Sequence, residues 1–381
     1  MATSSPSDGT PPLPAADLAK GTILVTGASG HVGNNLVRRL LEEGCAVRAL
    51  VQPGANDRGL EGLDIERTPG DLRDLDSLRR ALDGVTRVFH VAAKISTATS
   101  NPAEQRELYA INVLGTRDLL RASLDAGVER VVLTGSFSAT GFDLDDPSQP
   151  SAEGLPFYPF RYAQGGGPMA YAHTKALAEH QALVFAAEGL DVVIATSCGC
   201  IGPHDYLPSR MGGTLCDYID GRQRAYVDGG FSWIRARDIA DGHLLAMARG
   251  RSGQKYVFAT GFLTLGELFR TAGEVAGVDH PLVELPFEFV NRVAKVYSGT
   301  LARFFPKASQ RLTPGSLAVL RMRRRVDSSK AQRELGFEPT ELRTAIAEAV
   351  EFFAREGMVR RASAVSVPRQ TAPEPATNPS P

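Results

Sequence analysis

Between residues 22 and 41 the side-chain period changes abruptly from that of a strand to that of a helix. Thr22-Ile23-Leu24-Val25-Thr26 is a short β-branched run, and from residue 31 on Val32, Leu36, Val37, Leu40 and Leu41 recur at helical spacing. Three glycines, Gly27, Gly30 and Gly33, lie across the change. In a strand–turn–helix unit the first lets the chain turn sharply, and the second lets a pyrophosphate approach the backbone. The third lets the helix pack against the sheet, with its N-terminus facing the phosphate charge. Spaced glycines alone are common. Set between this strand and this helix, they point to a dinucleotide site rather than a plain tight turn.

The alternation continues downstream. Strands are expected at 46–51, 64–68, 87–91, 130–134 and 191–196, with helices at 76–82, 104–126 and about 169–188. That order argues for an α/β fold, a parallel sheet covered by helices on both faces. Residues 1–20 and 362–381 are rich in Pro, Ser, Thr and Ala and read as disordered tails. Residues 21–197 read as the nucleotide-binding domain and 198–361 as a smaller substrate-covering lobe, with a return to the sheet at 255–259. Phe287, Phe289, Val293, Val296, Tyr297, Leu301, Phe304 and Phe305 suit either a core or a pocket lining, and residues 331–357 end the fold with helical periodicity.

Composition removes several classes. The 381 residues carry a net charge of −1, without the basic excess of a nucleic-acid binder. Arg321 and Arg323 to Arg325 form a local basic run that reads as a solvated helix end. No apolar stretch of about 18 residues is available to span a membrane, and no signal peptide is visible, so a cytoplasmic location is expected. Cys45, Cys198, Cys200 and Cys216 lack zinc-ribbon spacing and read as buried free thiols. The seven histidines are scattered, so no metal is expected, and no Gly-x-Ser-x-Gly elbow supports a hydrolase.

Tyr171-Ala172-His173-Thr174-Lys175 sets a phenol and an ammonium four residues apart, on one face of a helix. The ammonium is expected to favour phenolate and lower the tyrosine pKa, making the pair a proton-transfer unit. The second strand ends Leu50-Val51-Gln52-Pro53-Gly54. An acid at that end would accept ribose hydroxyls and repel a 2′-phosphate, whereas an arginine would welcome it. Gln52 does neither strongly, and nearby Arg48 and Arg58 tilt the reading towards NADP, with NAD as the alternative. Asp71 suits either an adenine contact or a loop cap.

Further ordered pieces join these: Gly70-Asp71-Leu72, His90-Val91-Ala92-Ala93, Asn112-Val113-x-Gly115-Thr116, the Ser136 segment, Trp233 to Ala240 and Leu335-Gly336-Phe337. With them the chain, from residue 22 to about 357, resembles the extended short-chain dehydrogenase/reductase superfamily (NAD-dependent epimerase/dehydratase-like). Within it the dihydroflavonol reductase-like and hydroxysteroid dehydrogenase-like branch is most similar. The resemblance implies a Rossmann-type doubly wound parallel sheet with a smaller C-terminal α/β substrate-binding lobe. It implies an NAD(P)-dependent oxidoreductase acting on a carbonyl/secondary alcohol pair of a small, apolar molecule. It also implies a homodimer packed through the helix at 104–126 and the Tyr171 helix.

Carried over by position, Tyr171 is the general acid or base, and Lys175 binds the nicotinamide ribose and holds the tyrosine pKa down. Ser136 hydrogen-bonds the substrate oxygen, with Thr134 and Ser138 as rivals, and Asn112 supports the site through water or backbone. Gly27, Ser29, Gly30, His31, Val32 and Gly33 form the phosphate turn. Gln52, Asp71 and Leu72 lie at the adenosine end, and Ala92, Ala93 and Lys94 line the trough. Two stretches depart from the pattern: Thr134-Gly135-Ser136, where the family often has consecutive hydroxyl residues, and Ser197-Cys198-Gly199-Cys200, where it often has arginine or asparagine and then proline. A nucleotide-sugar epimerase or dehydratase is the rival within the superfamily, and a non-catalytic dinucleotide-binding protein is the third reading.

Overall fold

The computed structural model describes residues 18–96, 102–143, 145–146, 148–157, 170–296 and 313–360. Most of both expected tails lies outside these residues, but Leu18, assigned to the N-terminal tail, is buried in the core.

Seven parallel strands form the main sheet. They are β1 (Thr22–Thr26), β2 (Ala46–Val51), β3 (Glu66–Pro69), β4 (Val85–His90), β5 (Arg130–Ser136), β6 (Val192–Ser197) and β10 (Lys255–Phe258). Their spatial order is β10-β6-β5-β4-β1-β2-β3, so the order reverses between β1 and β4. Such a reversal leaves a crevice beyond the strands' carboxyl ends, where this class of sheet binds ligands. Apart from the exposed edge strand β3, the strands are largely apolar, as a sheet buried on both faces requires. Helices His31–Glu42 and Ala236–Arg249 pack together over one face. Leu75–Ala81, Thr116–Asp125 and Ala170–Ala187 cover the other.

The helix expected at 104–126 is interrupted. Pro102–Tyr109 leads into a π-helical turn at Ala110–Gly115 before Thr116–Asp125 resumes α geometry. Propensity carries no signal for that widened turn. Gly115 sits against Leu72, where a Cβ would lie 2.7 Å from the leucine side chain.

The C-terminal segments build a second apolar cluster beside the sheet. Helices Arg210–Ile219, Leu265–Ala276 and Leu342–Arg355 surround β9 (Gly230–Arg235), which pairs with β7 (Gly199–Ile201) and β11 (Gly261–Thr264). A smaller two-stranded sheet pairs β8 (Ala225–Val227) with β12 (Val283–Leu285). Asp238 is buried and accepts from the Thr260 hydroxyl and from the backbone and hydroxyl of Thr340, joining the lobe to the sheet. Phe337 packs edge-on to Phe258 at 5.0 Å.

The basic run departs from its expected role. Arg321 and Arg323 are exposed and pair with Glu288 and Asp228, but Arg324 is only 5% exposed. It donates to the Thr140 carbonyl and to the Ser151 hydroxyl, each at 2.7 Å, and lies 5.1 Å from the Phe142 ring centroid. Arg325 stacks over Phe262 at 4.2 Å. An arginine bonding main-chain carbonyls in a core is invisible to charge patterning.

Candidate active site

The glycine turn is close-packed for two of its three members. A Cβ on Gly27, whose φ is +69°, would lie 2.6 Å from the Ala92 nitrogen, and one on Gly33 would lie 2.0 Å from the Gly27 carbonyl oxygen. Gly30 would meet only the Gly27 oxygen at 3.3 Å and otherwise faces open space. It is the N-cap of His31–Glu42, and no side chain caps that helix. First-turn N–H groups therefore point at a cavity through a residue without a side chain, a geometry suited to a phosphate. The residues present fit a dinucleotide.

A cavity of about 1240 Å³ begins there and reaches the C-terminal lobe. Gly27, Ser29, Gly30, His31, Val32 and Gly33 line one end, together with Gln52, Asp71 and Leu72. Ala92, Ala93 and Lys94 line its middle, and Ser136, Tyr171 and Lys175 its floor. Asn112 does not line it. Its side chain instead accepts from the Lys94 N–H at 2.8 Å and donates to the Lys94 carbonyl at 2.9 Å and to the Thr174 hydroxyl at 3.1 Å. One amide thus ties the trough backbone to the helix carrying Tyr171.

The trough is braced from below by His90. Thr116 donates its hydroxyl proton to the Asn112 carbonyl, so it accepts from His90 Nε2 at 2.9 Å. Nδ1 is then the acceptor for Thr26, whose oxygen also accepts the Ala92 N–H. Burial holds this imidazole neutral, with a pKa pushed down to about 3.

At the floor, the half-buried Tyr171 lines the cavity beside Ser136. Its pKa lies above the ordinary value, because desolvation outweighs the help of the nearby Ser136 hydroxyl and the Glu179 charge opposes phenolate further. The expected depression by Lys175 is not met. Lys175 donates instead to the Thr134 carbonyl oxygen at 2.7 Å, and burial pulls its own pKa down to about 8.

Among the hydroxyls near the end of β5, the Thr134 side chain turns to the other face and bonds His243 Nε2 at 2.7 Å. Ser138 pairs with Ser136 at 2.8 Å. The family departure at Gly135 has a steric cause: a Cβ there would lie 2.4 Å from the Thr196 hydroxyl and 2.9 Å from a Glu179 carboxylate oxygen.

At the adenosine end, Gln52 donates to Asp71 at 3.0 Å, and Asp71 pairs with Arg73 at 2.6 Å. That arginine holds the carboxyl down to about 2, so it is ionised at any working pH. The two cations expected to tilt the site are elsewhere. Arg48 bonds the Ala81 carbonyl and Glu66 across the sheet, and Arg58 pairs with Glu356. Strand alternation alone would put Arg48 on the face of Gln52, but its bonds to the Ala81 and Asp83 carbonyls and to Glu66 hold it away from the end of the strand.

Beyond Ser136 lies a wall that motif reading did not assign. Phe137 stacks on Phe231 with centroids 5.7 Å apart, and Phe231 packs on Trp233 at 4.3 Å. Gly199 makes room for it, since a Cβ there would lie 2.4 Å from the Phe231 ring. Met211, Phe269, Leu285, Val290, Leu317 and Leu320 continue the lining into the lobe. Cys198 and Cys200 also line it as free thiols, with pKa values raised by burial. Of the apolar residues singled out near 287–305, Phe289, Val293 and Val296 are exposed, neither core nor lining. Tyr297, Leu301, Phe304 and Phe305 lie outside the described residues.

Comparison with known proteins places this geometry. Residues 23–259 match the sequence model of the NAD dependent epimerase/dehydratase family. "Sterol demethylase protein B" of Methylococcus capsulatus is 39% identical over 89% of this chain and all of its own length. A "4-hydroxy-2-methyl-3-oxo-4-farnesyl-3,4-dihydroquinoline-1-oxide ketoreductase" of Stigmatella aurantiaca is 32% identical, covering 82% of this chain and 90% of its own. Among solved structures, a nucleoside-diphosphate-sugar epimerase from Pseudomonas aeruginosa superposes with a TM-score of 0.71 at 25% identity, over 90% of this chain and all of its own.

Proposed function

The chain belongs to the NAD-dependent epimerase/dehydratase family of extended short-chain dehydrogenases/reductases, and from that premise we propose that it interconverts a ketone and a secondary alcohol on an apolar substrate, with Tyr171, Ser136 and Lys175 at the reacting carbon. The observation that carries this reading is that Tyr171, Ser136 and Lys175 line one cavity that leads from the glycine turn into an apolar lobe.

A nicotinamide dinucleotide held at the Gly27–Gly33 turn would supply or take the hydride. Ser136 and Tyr171 together hold the substrate oxygen, and Tyr171 gives it a proton in reduction or takes one in oxidation. A phenol with a raised pKa is protonated throughout the neutral range, the form that reduction needs. Lys175, while charged, polarises the floor of the site, and its bond to Thr134 fixes the Tyr171 helix against β5. Phe137, Phe231 and Trp233 offer an apolar face beside Ser136. The relatives named for a sterol and for a farnesylated ring support an apolar substrate of that size.

At the adenosine end both cofactors are accepted, NADP(H) modestly better. With Arg48 and Arg58 turned away, that preference rests on Arg73 beside Gln52. The test is nicotinamide absorbance against a panel of apolar ketones and alcohols, with nucleotide sugars assayed for products by chromatography. Turnover of a nucleotide sugar without net absorbance change, and none of any apolar ketone, overturns the reading in favour of an epimerase.

A further inference from the structure

The helix Phe287–Val296 has two apolar faces. One is ordinary: Val290 and Ala294 are buried against Val227 and Leu317, and Val290 lines the far end of the long cavity. The other faces solvent. Phe289, Val293 and Val296 follow one another at spacings of four and three, hence on one side of the helix, and are 59%, 51% and 60% exposed. Isolated exposed apolar residues are common on protein surfaces, but three in register on one helix are a patch. Arg292 and Lys295, both exposed, lie along one side of that stripe with Glu288, whose charge is taken up by Arg321 at 2.9 Å. The sequence then continues in the same character. Residues 297–312 include Leu301, Phe304 and Phe305 with Arg303, Lys307 and Arg311, and no acid. Over residues 287–312 there are five basic side chains and one acidic, although the whole chain has a net charge of −1.

An amphipathic helix with an exposed apolar stripe and a basic edge, too short to span a bilayer, is the pattern of a segment that lies in a lipid interface. Arg and Lys there add attraction to anionic headgroups. We infer that the exposed face of Phe287–Val296 docks onto an anionic phospholipid surface, so that the apolar end of the cavity lies one helix away from the bilayer. Charge complementarity selects this occupant. A second copy of the chain would bring Arg292 and Lys295 towards their own equivalents, and an apolar protein partner would leave both basic residues unused. The docking is peripheral: no helix among the described residues is long and apolar enough to cross a membrane.

The test is co-sedimentation of the full-length protein with sonicated vesicles of phosphatidylcholine and phosphatidylglycerol at 3:1, and of phosphatidylcholine alone, in low and high salt. The protein is expected to pellet with the anionic vesicles and to be released by salt. A Phe289→Ser/Val293→Ser double variant should lose at least tenfold of the bound fraction, and Arg292→Glu/Lys295→Glu a similar amount. Neither pair lines the cavity, so both variants should keep the wild-type melting temperature and cofactor affinity. Wild-type protein that stays in the supernatant, or double variants that pellet like wild type, overturn the proposal. So does a change of oligomeric state in Phe289→Ser/Val293→Ser, by analytical ultracentrifugation, without vesicle binding by the wild type. These outcomes are independent of catalysis, so they do not depend on the carbonyl reaction.

Discussion

The Lys175 ammonium donates a 2.7 Å hydrogen bond to the carbonyl oxygen of Thr134, two residues before Ser136. That bond gives the lysine a structural task before any chemical one, because it pins the Tyr171 helix to the strand that ends in Ser136. It also separates two effects that spacing alone merges. A lysine four residues after a tyrosine shares its helix face, yet the phenol here answers mainly to burial and to Ser136.

Tyr171→Phe removes the hydroxyl and leaves the ring's packing. Turnover should fall by about 10²–10⁴, the range for losing a positioned acid, while cofactor affinity and melting temperature change little. Stopped-flow hydride transfer and fluorescence titration of the cofactor measure the two quantities. Near-full activity in a well-folded variant would reject the assignment.

The Lys175 pKa of about 8 predicts how ketone reduction depends on pH. Below that value the ammonium is charged and Tyr171 is protonated, so the rate should be flat; above it the charge is lost and the rate should decline. Lys175→Arg, which stays charged, should retain some activity and lose the decline near pH 8. A wild-type profile that stays level to pH 10 contradicts this role.

Much of this site was legible in the sequence, and the omissions have physical causes. Spacing placed Gly27, Gly30, Gly33, Tyr171 and Lys175 because short-range geometry fixes them: a turn after a strand, two positions on a helix. Strand ends came within one or two residues for β5 and β6. Phe231 and Trp233 were not read as a wall, since they reach Phe137 across nearly a hundred residues and only tertiary packing joins them. Arg48 and Arg324 failed for a related reason. Which way a cation points depends on partners elsewhere in the chain, and a string of residues carries no record of that.

Arg324 illustrates the cost of such a partnership. Replacing it with methionine would strip donors from the Thr140 carbonyl and the Ser151 hydroxyl, which are buried with it. Each orphaned group costs about 1–3 kcal/mol. Arg324→Met should therefore lower the melting temperature by several degrees. It should also reduce kcat more than it raises cofactor KM, because the displaced segment begins at Phe137 beside Ser136. Arg324→Lys should recover part of both. An unchanged kcat in a destabilised protein would confine Arg324 to folding.

The buried histidines predict acid sensitivity. His90 and His243 have folded pKa values of about 3 and about 4, lowered by burial from an ordinary value of 6.5. The unfolded chain therefore binds protons below pH 6.5 that the folded chain refuses. Stability should fall as pH drops from 6.5 towards 4, by up to about 1.4 kcal/mol per pH unit for each histidine. Denaturant midpoints between pH 7 and 4 measure that slope. His243→Gln should lower stability at pH 7, since Thr134 and Ile239 lose their partner, yet flatten the dependence on acid. An unaltered slope would place the sensitivity elsewhere.

On the proposed reading, cofactor choice turns on three side chains at the end of β2 and beyond β3. Gln52 donates to Asp71, and Asp71 is neutralised by Arg73. An amide can bond either a ribose hydroxyl or a phosphate oxygen, so Gln52 alone selects neither dinucleotide. Asp71, ionised throughout, would repel a 2′-phosphate if Arg73 were absent. Arg73→Ala should therefore lower kcat/KM for NADP(H) and leave NAD(H) nearly unaffected. Gln52→Asp adds a second carboxylate and should reverse the native preference by like-charge repulsion. Gln52→Arg should sharpen it through a charge-assisted bond to phosphate, provided the new guanidinium is not captured by Asp71. Steady-state kcat/KM for both cofactors in the four proteins decides between these effects. A strong native preference for NAD(H), unmoved by Gln52→Asp, would mean that the 2′ position is read by a residue outside this cluster.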